Sequence, residues 1–117
     1  MKLILAYLPH RPVQKIINAL ADEHIHGLTI SEARGFGQEH DSDHPDYREF
    51  AGLEMTRKLR LEIACHDEEV RHILETLYAV AHTGQRGDGK IFVLPIEDAL
   101  RIKTGEHGKS ALGPPST

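Results

Sequence analysis

The order of apolar patterns constrains the fold of this chain most strongly, because the same strand–helix–strand order occurs twice. In the first half, residues 2–8 form a short apolar run that predicts a buried strand. From Val13 onward, apolar residues recur with the i, i+3, i+4, i+7 spacing of an amphipathic helix, which we expect to end near Gly27 in a left-handed cap. Residues 28–36 alternate well enough to predict a second strand.

The second half repeats this order after a polar insertion. Residues 58–65 alternate strictly between polar and apolar side chains, and Asp67 then suits the N-cap of a helix that we expect to end at 83–84. Residues 91–96 predict the fourth strand, and 97–101 at most one helical turn. Two β-α-β units predict an α+β, ferredoxin-like fold with a four-stranded antiparallel sheet and two helices on one face. The other sheet face is then apolar and uncovered, which favours association with sister subunits.

The insertion, residues 37–56, is predicted to lack secondary structure. It contains six acidic residues and a single basic one, Arg48. An irregular segment of this length inside a compact domain is unusual and is commonly functional or disordered. Because it has little apolar surface to bury, we expect it to be mobile when free and to become ordered on a ligand or a partner.

A glycine-rich segment, TGQRGDGK at residues 83–90, follows the second predicted helix. Its glycines accept positive φ, so its backbone N–H groups can turn toward one anion. Three cations follow, at Lys90, Arg101 and Lys103, and together these features predict a polyphosphate site. The segment lacks the spacing of a Walker motif, and a strand follows it where a dinucleotide fingerprint requires a helix. An ordinary glycine-rich turn with solvated basic neighbours is the alternative.

Composition places the chain among single-domain globular proteins. It has 117 residues, 39% of them hydrophobic, and a net charge of −4, which does not favour nucleic-acid binding. One cysteine, Cys65, excludes an intramolecular disulfide and favours a reducing cytoplasm. No signal peptide or bilayer-length apolar run is present, so we expect no direct membrane insertion. The histidines outside the insertion, His66 among them, are predicted to lie on the surface.

The stretch TGQRGDGKIFVLPIEDALRIKTGEHG, residues 83–108, closely resembles the signature of the PII signal-transduction proteins, the nitrogen-regulatory family. The family pattern reads roughly TGxxGDGKIFV, a short spacer and RIRTGExG, and the one conservative change is Lys103. The resemblance implies a homotrimer that binds ATP, ADP or AMP between subunits and signals to a target enzyme or membrane transporter. It divides the chain into one domain, residues 1–108, with a T-loop at about 37–56, a B-loop at 83–90 and a C-loop at 101–108. Residues 109–117 show no periodicity, and we expect them to form a flexible tail.

The resemblance carries functional residues over by position. Thr29 and the backbone of Ala64 match adenine contacts, and Lys58 matches a residue that approaches phosphate or a small anion. The matching nucleotide-binding positions are Thr29, Gly35, Phe36, Gly37, Lys58, Ala64, Gly87, Asp88, Gly89, Lys90, Phe92, Arg101 and Lys103. The effector and T-loop positions are Gln38, Glu39, Tyr47, Arg48 and Lys58.

The insertion departs from the family pattern. Glu39 stands where the family has a glutamine that helps bind Mg²⁺ and 2-oxoglutarate, and Ala51 stands where many relatives have a uridylylated tyrosine. Glu49 replaces a serine that others phosphorylate. A carboxylate beside a dianionic ligand is repulsive. We therefore expect a divergent regulator that responds to bicarbonate, with a conventional nitrogen regulator sensing ATP, ADP and 2-oxoglutarate as the alternative; a role for Mg²⁺ stays open.

Two other site classes fit parts of the sequence. The insertion has side chains suited to a divalent metal, although a solvated acidic loop explains them better. These side chains are Glu39, His40, Asp41, Asp43, His44 and Asp46. A slow nucleotide hydrolase would use Asp88 or Glu62 to orient water, but no nucleophile–base pair lies beside the glycine loop, so we assign no catalytic residue and expect no enzyme.

Overall fold

The computed structural model describes residues 1–10, 13–25, 27–36, 47–50 and 53–114, and for 47–50, 53 and 54 it describes the backbone only. The α-helices in these ranges are α1 (Val13–Asp22) and α2 (Val70–Ala81). The strands are β1 (Lys2–Pro9), β2 (Leu28–Gly35), β3 (Tyr47–Phe50), β4 (Leu53–Cys65) and β5 (Lys90–Pro95). Short 3-10 helices span Asp67–Glu69 and Gly108–Leu112.

The strands form one antiparallel sheet in the order β2-β4-β1-β5, and β3 pairs with the beginning of β4. β1 occupies the centre, with Leu5 opposite Glu62 of β4 on one side and opposite Phe92 of β5 on the other. α1 and α2 pack against each other and cover one face of this sheet. The ferredoxin-like α+β fold predicted from the doubled β-α-β order is thereby confirmed.

The core lies between the helices and one face of the sheet. Alternate residues of β1 and β4 point into it and meet the apolar stripes of the two helices. Its buried side chains are Ile4, Ala6, Leu8, Ile16, Leu20, Ile25, Leu59, Leu61, Ile63, Cys65, Ile73 and Leu77. Burying one large aliphatic side chain of this kind contributes about 1.5–3 kcal/mol. The opposite face leaves Phe92 and Leu94 of β5 48% and 40% exposed, so it is the uncovered face that the strand pattern predicted.

α1 ends earlier than expected, and Gly27 does not cap it. Its end is a Schellman motif in which Ile25 N–H donates to the Leu20 carbonyl and His24 N–H donates to the Ala21 carbonyl. His24 has the left-handed φ of 58° that this motif requires. Gly27 also has positive φ, 72°, but it lies in the connection to β2. The burial of Ile25 beside Leu20 explains why the helix ends before the glycine.

The predicted absence of secondary structure in residues 37–56 is wrong for the segments that the structure describes there. β3 pairs with the first residues of β4, so that Phe50 lies opposite Leu53 and Tyr47 opposite Thr56. β4 therefore begins five residues before the predicted start at 58. Thr56 also pairs with Gly35 of β2, so the β2–β4 and β3–β4 pairings meet at this residue. The alternation of apolar and polar residues in β4 is also present in residues 53–56. The sequence of β3, which pairs with them, shows no such alternation.

The structure corrects one local expectation at the end of an element and adds detail to two others. Asp67 does not cap α2, because its carboxylate accepts a hydrogen bond from the N-terminal ammonium of Met1 at 2.8 Å, which lowers its pKa. Residues 97–101, predicted to form at most one helical turn, form none, and Leu100 makes a β-bridge with His107. The 3-10 helix Gly108–Leu112 spans the first residues of the segment predicted to be a flexible tail.

Candidate functional site

The glycine-rich loop between α2 and β5 is closed by one of its own side chains. Asp88 Oδ2 accepts hydrogen bonds from the backbone N–H groups of Thr83 and Gly84 at 2.8 and 2.9 Å. Its Oδ1 accepts from the Thr83 hydroxyl, whose oxygen accepts in turn from Gln85 N–H. The Thr83 hydroxyl, then the two amides, hold the pKa of the Asp88 carboxyl below its usual range. The carboxylate thus organises the loop from Thr83 to Asp88.

Gly89 brings the loop into close contact with β1. Its φ is +104°, and a Cβ at this position would lie 2.0 Å from the backbone carbonyl oxygen of Tyr7. No side chain fits there, because a backbone atom cannot move aside. Gly84 and Gly87 also have positive φ, but open space surrounds their Cβ positions. Lys90 follows directly and registers with Tyr7 at the start of β5.

The two carboxylates that a nucleotide hydrolase would use, Asp88 and Glu62, each interact with other groups of the protein. Asp88 accepts the loop hydrogen bonds, and Glu62 pairs with Arg60 through Oε1 and Nε at 2.9 Å. Neither arrangement resembles a carboxylate that orients water beside a phosphate. The local geometry therefore gives the hydrolase alternative no support.

The second cationic segment is a closed turn that carries Arg101 and Lys103. Arg101 N–H donates to the Glu106 carbonyl at 2.9 Å, and the Arg101 carbonyl accepts from Gly105 N–H at 2.7 Å. Gly105 has φ +76°, a conformation that glycine adopts without strain. The backbone of Arg101 is therefore held on both sides, while Lys103 lies exposed at the tip of the turn.

The base of this turn is closed by Asp98. Its Oδ1 accepts from the N–H groups of Ala99 and Gly108 at 2.8 and 3.2 Å, and its Oδ2 accepts from His107 Nδ1 at 3.0 Å. The hydrogen bond from His107 is the largest cause that lowers the pKa of the Asp98 carboxyl. Asp98 thus plays the part in this turn that Asp88 plays in the glycine loop. The motif-based prediction did not include it.

The segment after the turn contacts Arg101, which the sequence did not predict. Arg101 Nη2 donates to the Ala111 carbonyl at 3.0 Å. Two residues on, the Gly113 carbonyl accepts from His66 Nε2 at 2.6 Å. His66 is 7% exposed, so its predicted surface position is wrong. A histidine immediately after a strand carries no pattern that reveals a partner 47 residues away.

The positions predicted to hold adenine lie at the β2 side of the uncovered face. Thr29 of β2 registers with Glu62, and Ala64 follows on the same face of β4. At the end of β2, the Lys58 side chain lies against Gly35, with its Cγ 3.5 Å from where a Cβ would stand. Phe36 follows and is 70% exposed. The structure therefore brings these residues onto one side of the sheet.

Four of the positions predicted to hold phosphate, those of the glycine loop, lie at the opposite edge. Gly87, Asp88, Gly89 and Lys90 lead into β5, whereas Thr29 lies on β2, and the strand order places β4 and β1 between them. Three strand spacings separate these edges by roughly 14 Å. The surface between them carries Leu5, Tyr7 and the Arg60–Glu62 pair. On this same surface, the ring centroids of Phe92 in β5 and Tyr7 lie 6.4 Å apart, with the two rings inclined at 74°.

Some predicted positions lie outside the described residues. These are Gly37, Gln38 and Glu39, together with the remaining metal-ligand candidates of the insertion. Tyr47 and Arg48 are described by their backbones, which pair with Thr56 and Met55. Elsewhere in the described chain, no group of three or more histidine, cysteine, aspartate or glutamate side chains is arranged to hold a metal ion. No helix within the described ranges has the length and apolar character needed to cross a membrane.

Comparisons with known proteins agree on one family. A family model described as nitrogen regulatory protein P-II matches residues 1–106. The chain is 40% identical to the nitrogen regulatory protein P-II of Rhizobium etli and 37% identical to that of Azospirillum brasilense, each across 96% of this chain and 100% of the relative. It is also 38% identical to a nitrogen regulatory protein P-II homolog of Arabidopsis thaliana, covering 85% of this chain but spanning about half, 51%, of that longer protein.

Proposed function

The chain belongs to the nitrogen regulatory protein P-II family, and from this premise we propose that it is a trimeric regulator that binds an adenine nucleotide between adjacent protomers. The matched family and relatives are named as regulatory proteins, so the chain is a regulator and not an enzyme. In this proposal, the nucleotide sets the state of the T-loop, which then binds or releases a target enzyme or transporter. A cytoplasmic location is part of the same proposal.

The separation of the two halves of the candidate site carries the proposal. Thr29 and Ala64 lie toward the β2 edge, and Lys90 lies at the β5 edge of the same sheet. Between them lies the apolar and ion-paired surface of β1 and β4. A site that uses both halves is completed when the β2 edge of one protomer lies beside the β5 edge of the next.

The uncovered sheet face supports a ring of protomers. Leu94 and Phe92 remain 40% and 48% exposed there, and a contiguous apolar surface of this kind marks an interaction site. A contact between two different edges is heterologous, and such contacts generate closed rings when the rotation closes. A trimer is the ring that the family membership favours.

The glycine loop supplies the phosphate chemistry in this arrangement. Asp88 holds Thr83 and Gly84 by their N–H groups and leaves the segment from Gly87 to Lys90 as the part that faces a ligand. Backbone N–H groups in such a nest, with lysine and arginine beside them, bind phosphate oxygens by charge-assisted hydrogen bonds. Arg101 and Lys103 add two further cations.

The comparisons favour the conventional nitrogen regulator over the bicarbonate-responsive one. Every relative reported above carries the nitrogen regulatory name, and none points to inorganic carbon. Glu39, the carboxylate that disfavours 2-oxoglutarate, lies outside the described residues. We therefore propose ATP, ADP and 2-oxoglutarate as the ligands, and Mg²⁺ would accompany ATP. Separate titrations of 2-oxoglutarate and bicarbonate into ATP-loaded protein distinguish the two; a response to bicarbonate alone would reverse this choice.

Subunit mixing tests the shared site directly. Thr29→Arg should block the adenine half and Lys90→Ala should weaken the phosphate half, each lowering ADP affinity by roughly tenfold or more. Trimers that contain both variants then regain a minority of parent-like sites, at interfaces where the two intact halves meet. Lys15→Ala on the exposed side of α1 is the control and should bind normally. If calorimetry finds no recovered sites in mixed trimers, the site does not lie between protomers.

A further inference from the structure

We propose that His66 and Gly113 are positioning residues of the phosphate site, because together they hold the segment that orients the Arg101 guanidinium. We name residues 108–113 the C-terminal clasp. The inference rests on the proposed function, since it concerns how Arg101 meets phosphate. It adds to that site a part of the chain outside the family match, which ends at residue 106.

The clasp is hydrogen-bonded along its length. It begins where Gly108 N–H donates to the Ala99 carbonyl at 2.9 Å, at the base of the turn that carries Arg101. Ser110 Oγ then donates to the His107 carbonyl at 3.0 Å, and Gly113 N–H donates to the Ser110 carbonyl at 3.2 Å. The clasp is therefore a defined 3-10 turn that returns toward Arg101.

His66 anchors the far end of the clasp. It lies between β4 and α2, is 7% exposed, and donates through Nε2 to the Gly113 carbonyl at 2.6 Å. Its own backbone N–H donates to Glu69 Oε1 at 2.9 Å, which fixes the position of the residue. This hydrogen bond therefore joins the end of the clasp to the junction between β4 and α2.

Gly113 gives the clasp a conformation that other residues resist. Its φ is 77° and its ψ −173°, a region essentially restricted to glycine. This conformation turns the Gly113 carbonyl toward His66 while the Ala111 carbonyl accepts from Arg101. The Cβ that alanine would add at 113 would lie 3.6 Å from Arg101 Nη2, an ordinary contact, so the strain there is in the backbone.

The clasp orients Arg101 and does not compete with phosphate for it. A guanidinium has five N–H donors in a planar fork, and one Nη2 donation to Ala111 leaves donors for a bidentate phosphate contact. The backbone of Arg101 is already held by Glu106 and Gly105. Fixing the side chain as well removes rotamer freedom that nucleotide binding would otherwise have to remove. His66 thus acts on the nucleotide through Ala111 and Arg101.

Calorimetric titration of ADP into full-length protein tests this chain of contacts. Arg101→Ala should weaken ADP binding roughly tenfold or more. His66→Phe, which keeps the ring but removes the donor, and Gly113→Ala should each weaken it roughly threefold to tenfold. His66→Gln retains a side-chain donor and should recover part of the loss. His72→Phe is the matched control, because His72 is an exposed histidine of α2 that pairs with Glu23.

Double variants separate positioning from a general structural effect. If the clasp acts through Arg101, His66→Phe and Gly113→Ala should cause no further loss of ADP affinity in an Arg101→Ala background. Hydrogen exchange at the backbone amide of residue 113 should become faster in both single variants and show that the clasp has been released. Light scattering confirms that each variant keeps the oligomeric state of the parent.

Each result supports or overturns the inference. If Arg101→Ala weakens ADP binding while both clasp variants release the clasp and bind as the parent does, the inference fails and the proposed function stands. Tighter binding in the clasp variants also overturns it, because the clasp would then compete for Arg101. If Arg101→Ala binds ADP normally, the proposed phosphate site fails, and this inference fails with it. Should His66→Phe not fold, Gly113→Ala carries the test, since it lies outside the core.

Discussion

The two cationic loops of this molecule are built on the same device but depend on different parts of the chain. In the glycine loop, Asp88 accepts hydrogen bonds from Thr83 and Gly84, all within residues 83–88. In the Arg101 turn, Asp98 accepts from residues at both ends, and Arg101 depends further on a segment held by His66. In both loops, a carboxylate accepts several N–H hydrogen bonds and fixes the conformation. The contacts of the glycine loop are all close in sequence, whereas the Arg101 turn also depends on His66, which is distant in the chain.

The largest expected effect is a loss of stability when the glycine loop can no longer pack closely against β1. Gly89→Ala places a Cβ against the Tyr7 carbonyl in a backbone conformation that alanine resists, and should lower the free energy of unfolding by about 3 kcal/mol. Gly84→Ala is the control, because it has positive φ but open space, and should cost about 1 kcal/mol. Urea denaturation measures both; equal losses would mean that contact with β1 does not constrain the loop.

The next effect compares the two carboxylates. Asp88→Asn turns an amide toward the Thr83 and Gly84 donors and should weaken ADP binding roughly tenfold, the factor of one charge-assisted hydrogen bond. Asp98→Asn should weaken it less, because the Leu100–His107 bridge also holds that turn. Calorimetry with ADP decides, and a larger loss from Asp98→Asn would reverse the ranking of the two loops.

Lowering the pH should reduce the stability that the carboxylates contribute to both loops. The folded-state pKa values of Asp88 and Asp98 lie below that of an unfolded aspartate, about 3.9. Their contribution to stability is therefore complete well above that value and is lost as the pH falls from about 5 through the folded-state pKa values. Stability measured against pH should decline less steeply in Asp88→Asn and in Asp98→Asn. An unchanged acid slope in both variants would contradict the assignment.

The smallest expected effect on ADP affinity is that of replacing His107. Its imidazole pairs with Asp98 on an exposed surface, where ion pairs contribute little. His107→Gln should therefore change ADP affinity less than about threefold. The Asp98 hydrogen bonds to Ala99 and Gly108 should keep the turn closed. A tenfold loss would show that the turn depends on this side chain more than on its backbone.

The predicted fold agrees with the structure because its signals are periodic. Alternation in β1 and β4 placed Ile4 and Leu61 in the core, and helical spacing placed Leu20 and Leu77 opposite them. The predictions failed at boundaries that depend on distant partners. Asp67 has the sequence context of a helix cap but pairs with Met1, and β4 extends back to Leu53 because β3 pairs with it.

The candidate site likewise has features that the sequence predicts and features that only the structure reveals. The sequence by itself determined the glycine loop, the cations Lys90, Arg101 and Lys103, and the family, because φ preferences, charge and motif spacing are properties of short segments. Only the tertiary structure decided that the two halves of the site occupy opposite edges of the sheet. It also decided that His66 holds the clasp beside Arg101. Strand order and contacts between residues far apart in the chain arise from packing the whole core, and no local pattern encodes them.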